Sequence, residues 1–402
     1  MLFDKETTGG LRMKQFNTVF GQLLQIMPWS DFERLVRQYG SDKYTKIMTT
    51  RGLFSGLLYA QARTKESLRD IQQGLLHHQA KWHHLGIKSV AKSTFSDANK
   101  RVGSVVFETL FYSLLEKTQR HHSDRRFKFK NPLYALDATV ITMCLSLFDW
   151  AKFRQTKGGI KLHCLYNIKD QIPEFIVDTT AAEHEAKIPQ EMELPLPPDS
   201  FITFDKGYID FGVFSAYEKN GITFVTRPKS TMKYHVAGQQ DISPYLSKKG
   251  VLYEHHILLE GYYQKQDYPH KLRLIGYTCP DTGKTYQFIT NNFKLSAYTI
   301  TQIYKARWDI ELFFKWIKQN LKIKTFLGTS SNAVMNQIWV AMIYLLLLKY
   351  IKHQTRYKGS ILELFRAFSE ALMDRLSLID LLQLKPKDIP KVLAMNHQLS
   401  IF

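Results

Sequence analysis

Cysteine is scarce in this chain: three residues in 402, Cys144, Cys164 and Cys279, each isolated in a strand-like apolar context. That set excludes a disulfide framework and offers no cysteine spacing suited to zinc, so it reads as buried thiols in a reducing cytoplasm. Long hydrophobic runs are missing too. The longest, Ile338 to Leu348, falls far short of the ~20 residues that span a bilayer, and the leading MLFDKETTGGLRMKQF carries no apolar core of a signal segment. The expectation is a soluble cytoplasmic protein with no membrane partner. Internal repeats and low-complexity tracts are also absent.

Acidic residues are outnumbered: 36 Asp and Glu stand against 55 Lys and Arg, a formal net charge of +19. Such an excess calls for an anionic partner, and nucleic acid is the commonest. Residues 1–130 alone hold 22 Lys and Arg against 11 Asp and Glu, which makes this end the first docking surface for DNA. With 44% hydrophobic residues the chain has ample material for cores, and its length suits two to four domains.

From Phe16 to Leu115 the apolar spacing is helical, with Gly40 and Gly52 as punctuation. Within it, VAKSTFSDANKRVGSVVFETLFYSLLE reads either as a helix-turn-helix, its helix capped by Ser93 or Thr94, or as an ordinary capped helix on a basic surface. The HHQAKWHH cluster at His77 to His84 has no cysteine or acidic companion and reads as a basic loop rather than a zinc site. HHSDRRFKFKNP, residues 121–132, reads as a cationic linker.

After Pro132 the period changes to strands: LYALDATVITM, GGIKLHCLYNI, PEFIVDTTA, a helical stretch around residues 181–192, then FITFDKGY. Further strands, FVTRP, VLYEHHILL, KLRLIGYT and TYQFITNN, lie between Phe211 and Thr299. Helical spacing returns around residue 304, again from Asn332 to Lys352, and in SILELFRAFSEALMDRLSLIDLLQL.

Chemistry concentrates in YKARWDIELFFKWIK. Tyr304, Arg307, Glu311 and Lys318 fall within an arc of roughly 60° at ~100° per residue, while Ile303, Ala306, Ile310, Phe313 and Ile317 take another face. An acid beside cations on one polar stripe suits a metal ion gripping phosphate; a solvated-face pairing of Glu311 with Arg307 and Lys315 explains the same residues. Asp137 sits inside an apolar strand, where an unpaired ionised carboxylate would cost several kcal/mol, so it is either salt-bridged or facing a metal-binding cleft. Asp205 ends FITFDKGY, as a cap or as a second acid.

The tyrosine, arginine, glutamate and lysine spacing resembles the signature of the insertion-sequence-four family of DDE transposases. Asp137 in DAT and Asp205 in DKGY are similar to the surroundings of that family's first two catalytic acids. Separations of 68 and 106 residues leave room before Glu311 for the family's β insertion. The resemblance implies an α/β (α+β) fold with an RNase H-like core. It implies a basic helical DNA-binding domain at 1–130, catalytic core at 131–212 and 299–350, an inserted β-rich subdomain at 213–298, and C-terminal helices at 351–402 suited to dimerisation.

The same resemblance implies Asp137, Asp205 and Glu311 as catalytic residues holding two Mg²⁺ ions, with Mn²⁺ able to substitute. It implies Arg307 and Lys318 on DNA phosphates and Tyr304 hydrogen-bonded to the same backbone. The activity implied is cut-and-paste transposition at terminal inverted repeats by nicking, hairpin formation and strand transfer. The partners implied are double-stranded transposon ends, target DNA and a second copy of the chain, in a nucleoid-associated bacterial setting. Trp308, Trp316 and Tyr286 are candidates to stack on an extruded base, against a core-packing role for each tryptophan. The rival readings are a DNA-binding regulator that keeps the fold without catalysis and a stand-alone nuclease.

Overall fold

The computed structural model describes residues 18–89, 91–118, 127, 129–144, 146–154, 157–180, 185 and 187–384. Helices α1 (Val19–Gln25), α2 (Trp29–Gln38), α3 (Thr50–Ala62), α4 (Leu68–Leu76), α5 (Trp82–Leu85), α6 (Lys92–Arg101) and α7 (Val105–Thr118) come first. Then follow β1 (Leu133–Met143), β2 (Lys152–Arg154), β3 (Lys157–Asn167), β4 (Ile172–Thr180), α8 (Lys187–Glu191), β5 (Phe201–Phe204), α9 (Phe211–Lys219) and β6 (Thr223–Thr226). Next are β7 (Tyr234–Gln240), α10 (Pro244–Lys248), β8 (Val251–Leu259), α11 (Tyr262–Asp267), β9 (Leu272–Thr278) and β10 (Thr285–Thr290). The chain ends in α12 (Ala297–Ala306), α13 (Trp308–Asn320), α14 (Ser331–Gln354), α15 (Ile361–Ala371) and α16 (Leu378–Leu381).

Two compact units result, residues 1–121 with 318–402 and residues 122–317, so the division falls inside α13. In the first unit α14 packs on α7, α3, α6 and α15, although most of it falls in the 299–350 segment that the sequence reading gives to the catalytic core. From Ile338 to Leu348 α14 is apolar on every side, and a helix apolar all round must be covered all round. It is long and apolar enough to cross a membrane, longer than the Ile338–Leu348 run suggests, and 94% of its most apolar window is buried within the fold. The side-chain N–H groups of its two buried polar residues, Asn336 and Gln337, find acceptors, although Asn336 Oδ1 accepts no hydrogen bond among the described residues. Asn336 donates to the carbonyls of Asn99 (3.1 Å) and Val102 (3.0 Å), and Gln337 donates to Thr325 O at 2.8 Å.

Local chemistry sets the helix starts. Thr49 caps α3 through its hydroxyl, Ser330 caps α14, and Ser360 with Glu363 forms a reciprocal capping box on α15. Gly40, left-handed at φ 58°, closes the chain after α2 as expected of a glycine, whereas Gly52 lies in the first turn of α3 and punctuates nothing. The α6 cap is Ala91, with no side-chain bond, rather than Ser93 or Thr94. Asn99 is 1% exposed, so it serves the α14 contact and not a surface. Among the histidines, His77 bonds Gln73 O through Nδ1 at 2.6 Å; the His83 and His84 side chains lie outside the described residues.

The second unit is one ten-stranded sheet, ordered β2-β3-β1-β5-β6-β10-β9-β8-β7 with β4 also on β3. Strands β1, β3 and β4 are antiparallel, and β5 and β6 run parallel to β1. This β4-β3-β1-β5-β6 arrangement is consistent with an RNase H-like core. The strands of the expected insertion do not build a separate sheet: β10 pairs antiparallel with β6, and β9, β8 and β7 continue outward. FVTRP supplies β6, the last core strand, and β7 has no counterpart in the sequence reading. A shared core explains the continuity, because Leu136, Ile202, Phe204, Phe214 and Phe224 cluster with Ile257, Leu272, Leu274 and Ile289. Phe214 stacks on Phe224 with ring centroids 4.0 Å apart.

Of the 121–132 linker, residues 121–126 and 128 lie outside the described residues. Its end is docked, with Phe129 on Phe201 at 4.6 Å between centroids. Cys164 is buried as expected, but Cys144 is exposed and Cys279 intermediate, since β1 ends at Met143 and Cys279 follows β9 into a turn.

Candidate active site

β1 alternates between an apolar face and a partly open one, and Asp137 and Ala138 fall where burial relaxes. Across the parallel pair, Leu136 of β1 stands opposite Phe204 of β5. Asp137 is the next residue of β1, and Asp205 is the first residue beyond the end of β5. β5 ends there, so Asp205 is free to turn. It caps a single 3₁₀ turn, Lys206–Tyr208, its Oδ1 accepting from Gly207 N at 3.2 Å. The cap and the site position coexist in one residue.

That turn is tied down from behind. Tyr208 is 1% exposed, and its hydroxyl lies 3.1 Å from His163 Nδ1 on β3, whose Nε2 lies 3.1 Å from Thr179 Oγ1 on β4. Burial above all, then the charges of Glu185 and Asp137, pushes the Tyr208 phenol far up, so it stays neutral.

The expected single helix is two. Arg307 is the C-cap of α12 and α13 begins at Trp308, although Arg307 keeps right-handed helical dihedrals, φ −53° and ψ −32°. Arg307 and Glu311 still meet across the break. Arg307 reaches back to the sheet: Nη1 lies 2.8 Å from Asp137 Oδ2 and Nη2 lies 2.6 Å from Glu311 Oε1. These two contacts join residues 170 and four apart in sequence. The Arg307 side chain is only 11% exposed, so this is not a solvated-face pair.

Burial pushes the Asp137 carboxyl up to about 6, the Ala138 N–H bond and Arg307 pull it down, and Glu311 and Glu185 push it up again. Burial also opposes the Arg307 charge, yet Tyr304, Asp137 and Glu311 outweigh it and hold the guanidinium above its ordinary value.

Tyr304 packs on Phe288 at 4.9 Å between centroids, with the Arg307 guanidinium 5.6 Å from its ring. Its buried hydroxyl has no hydrogen-bond partner among the described residues. Lys318, in the last turn of α13, is half-buried, and burial followed by Lys324 lowers its pKa. Trp308 is 57% exposed, which excludes the core-packing role for that tryptophan.

Sequence reasoning missed Glu185. Its Oε1 lies 3.2 Å from Lys161 Nζ, and a Cβ on Gly207 would stand 2.3 Å from its Oε2, so it lies directly against the Asp205 turn. The only available signals were an acid in a polar stretch and a lysine within an otherwise apolar strand. Residues 181–184 and 186 of the expected helical stretch lie outside the described residues, and α8 covers Lys187–Glu191.

Asp137, Asp205, Glu311 and Glu185 offer hard oxygen donors of the kind divalent cations take. As they stand, no three His, Cys, Asp or Glu among the described residues lie close enough together to hold an ion. Arg307 fills the place between Asp137 and Glu311 and carries the positive charge there.

A sequence family described as Transposase DDE domain matches residues 128–347, and a domain of unknown function matches residues 15–88. The "Probable transposase for insertion sequence element IS5377" of Geobacillus stearothermophilus is 24% identical over 89% of this chain and 90% of its own length. A protein of Sinorhizobium fredii named as a transposase, y4zB, is 31% identical over 71% of this chain and 79% of its own. Among solved structures, a cryo-EM structure of the piggyBac transposase synaptic complex with hairpin DNA matches 97% of this chain and 86% of that one, at TM-score 0.46 and 9% identity. The family match spans more than half of the 402 residues and includes all three acids singled out from the sequence: this chain belongs to the DDE transposases.

Proposed function

We propose that this DDE transposase moves an insertion sequence by cut-and-paste, with Asp137, Asp205 and Glu311 as its catalytic acids. Membership of the family implies dependence on a divalent metal in general; the finer reading is two Mg²⁺ ions held by these three carboxylates. Bound there, the metal supplies a polarised water or 3′-hydroxyl and charge neutralisation at the leaving oxygen. The observation that carries the reading is the arginine clamp: Arg307 joins Asp137 of β1 to Glu311 of α13, while Asp205 follows the last residue of the parallel β1–β5 pair. Two partly buried carboxylates drawn onto one cation make a site built for positive charge.

The chain's own residues then divide the work. Asp137 and Glu311 face the reacting phosphate from sheet and helix, and Asp205, fixed through Tyr208 and His163, holds the third side. Lys318 and Arg307 bind phosphates of the transposon end, and Tyr304 offers its unpartnered hydroxyl to the same backbone. The rearmost link is the insertion-sequence-four assignment, supported by the spacing of Tyr304, Arg307, Glu311 and Lys318. The cycle is hydrolytic nicking that frees a 3′-hydroxyl, attack of that hydroxyl on the opposite strand to form a hairpin, hydrolysis of the hairpin to free the 3′-hydroxyl again, and its attack on target DNA in strand transfer by a homodimer holding two ends.

Incubating linear DNA bearing the element's own terminal inverted repeats with the full chain and Mg²⁺ tests this. End-specific hairpins and excised ends are expected, and Asp137→Ala, Asp205→Ala or Glu311→Ala should each lower cleavage by about a thousandfold or more while DNA binding stays within about twofold. Sequence-blind degradation would identify a nuclease instead. Binding without any cleavage would identify a regulator.

A further inference from the structure

We propose that Arg307 is a placeholder cation, occupying between Asp137 and Glu311 the place a divalent metal takes and leaving it for a DNA phosphate when metal loads. The inference rests on the reading of Asp137 and Glu311 as metal ligands. Both contacts are short, 2.8 and 2.6 Å, and reach one oxygen of each carboxylate, the atoms an ion would need. Two carboxylates against one guanidinium leave one negative charge unanswered, whereas a divalent ion answers both. Glu185 is felt at Asp137 as well, but Lys161 at 3.2 Å answers its charge, so the surplus stays with Asp137 and Glu311.

The clamp is also incompletely satisfied on the arginine side. Nε of Arg307 is buried with no hydrogen-bond partner among the described residues, and a buried unpaired donor costs about 1–3 kcal/mol. Leaving the cleft for a phosphate relieves that cost, because a guanidinium meets phosphate through parallel N–H donors. The position suits such a change: Arg307 lies where α12 gives way to α13, so its side chain belongs to neither helix interior. In this arrangement metal and arginine compete for the same oxygens, and DNA, by drawing the arginine off, favours metal entry. The free protein is thereby kept from cutting without a transposon end in place.

Competition of this kind is read from metal binding alone, without turnover. Mn²⁺ binding to the DNA-free full chain, followed by the electron paramagnetic resonance of free Mn²⁺, should be tighter in Arg307→Gln than in the parent by about tenfold or more, given the coupling energies of close charge pairs. Arg307→Lys, which reaches one carboxylate at a time, should fall between them and carries the comparison if the glutamine variant does not fold. Equal or weaker Mn²⁺ binding in the arginine variants, with Asp137→Asn still abolishing it, overturns the placeholder role and leaves the metal site standing. Mn²⁺ binding indifferent to Asp137→Asn in every background overturns the metal site itself, and the placeholder role with it.

Discussion

At the scale of the residue, Asp137 carries an unusual burden. Its carboxyl, pushed up to about 6 mainly by burial, is harder to ionise in the folded protein than in the unfolded chain. A raised acid pKa means the ionised form opposes folding, fully above pH 6, and that opposition fades as pH falls from about 6 towards 3.8. In metal-free protein Asp137→Asn should therefore unfold later than the parent at pH 7.5, by about 1–3 kcal/mol, and the gap should close near pH 4. Thermal unfolding of the two proteins across that range measures it. Destabilisation at pH 7.5 would mean that the Arg307 contact outweighs desolvation. The sequence already required that something compensate a charge at position 137; it did not say that the compensator would be Arg307, because 170 residues separate the two and only folding brings them together.

Among elements, β10, β9, β8 and β7 extend the sheet outward from β6. β8 and β9 are joined by a buried pair, Arg273 Nε 2.7 Å from Glu254 Oε1, with the two side chains 4% and 6% exposed. Arg273 also donates to the carbonyls of Asn292 and Leu295, which ties β9 to the approach of α12. Arg273→Met leaves Glu254 buried without its partner, and urea unfolding should show a loss of about 3–5 kcal/mol. A double change to Arg273→Met with Glu254→Leu should recover much of it. Strand positions were legible in the alternation of residues from 133 onwards, as were helix caps such as Thr49 and Ser360. The break at Arg307 was not, because its dihedrals stay helical and the apolar period runs through it unchanged. Nor was the joining of β10 to β6, since edge pairing depends on which strand ends meet.

For the whole molecule, the surplus of 55 cations over 36 acids predicts DNA affinity that falls with salt at a log–log slope of about −0.9 per phosphate neutralised. If Lys318 holds one phosphate, Lys318→Ala should make that slope shallower by about one unit and weaken binding evenly across sequences; a salt titration by fluorescence anisotropy with two unrelated duplexes reads both. The sequence by itself determined the candidate acids Asp137, Asp205 and Glu311, most of the strands and helices, and the charge that suits DNA. These are local properties, set by side-chain period, capping groups and composition. Tertiary structure alone decided that Arg307 stands between Asp137 and Glu311, that Glu185 rests against Gly207, that α14 serves the helical unit, and that the insertion extends one sheet. Each is a contact between residues remote in the chain, fixed by which apolar faces bury one another and which charges are left to meet once they have.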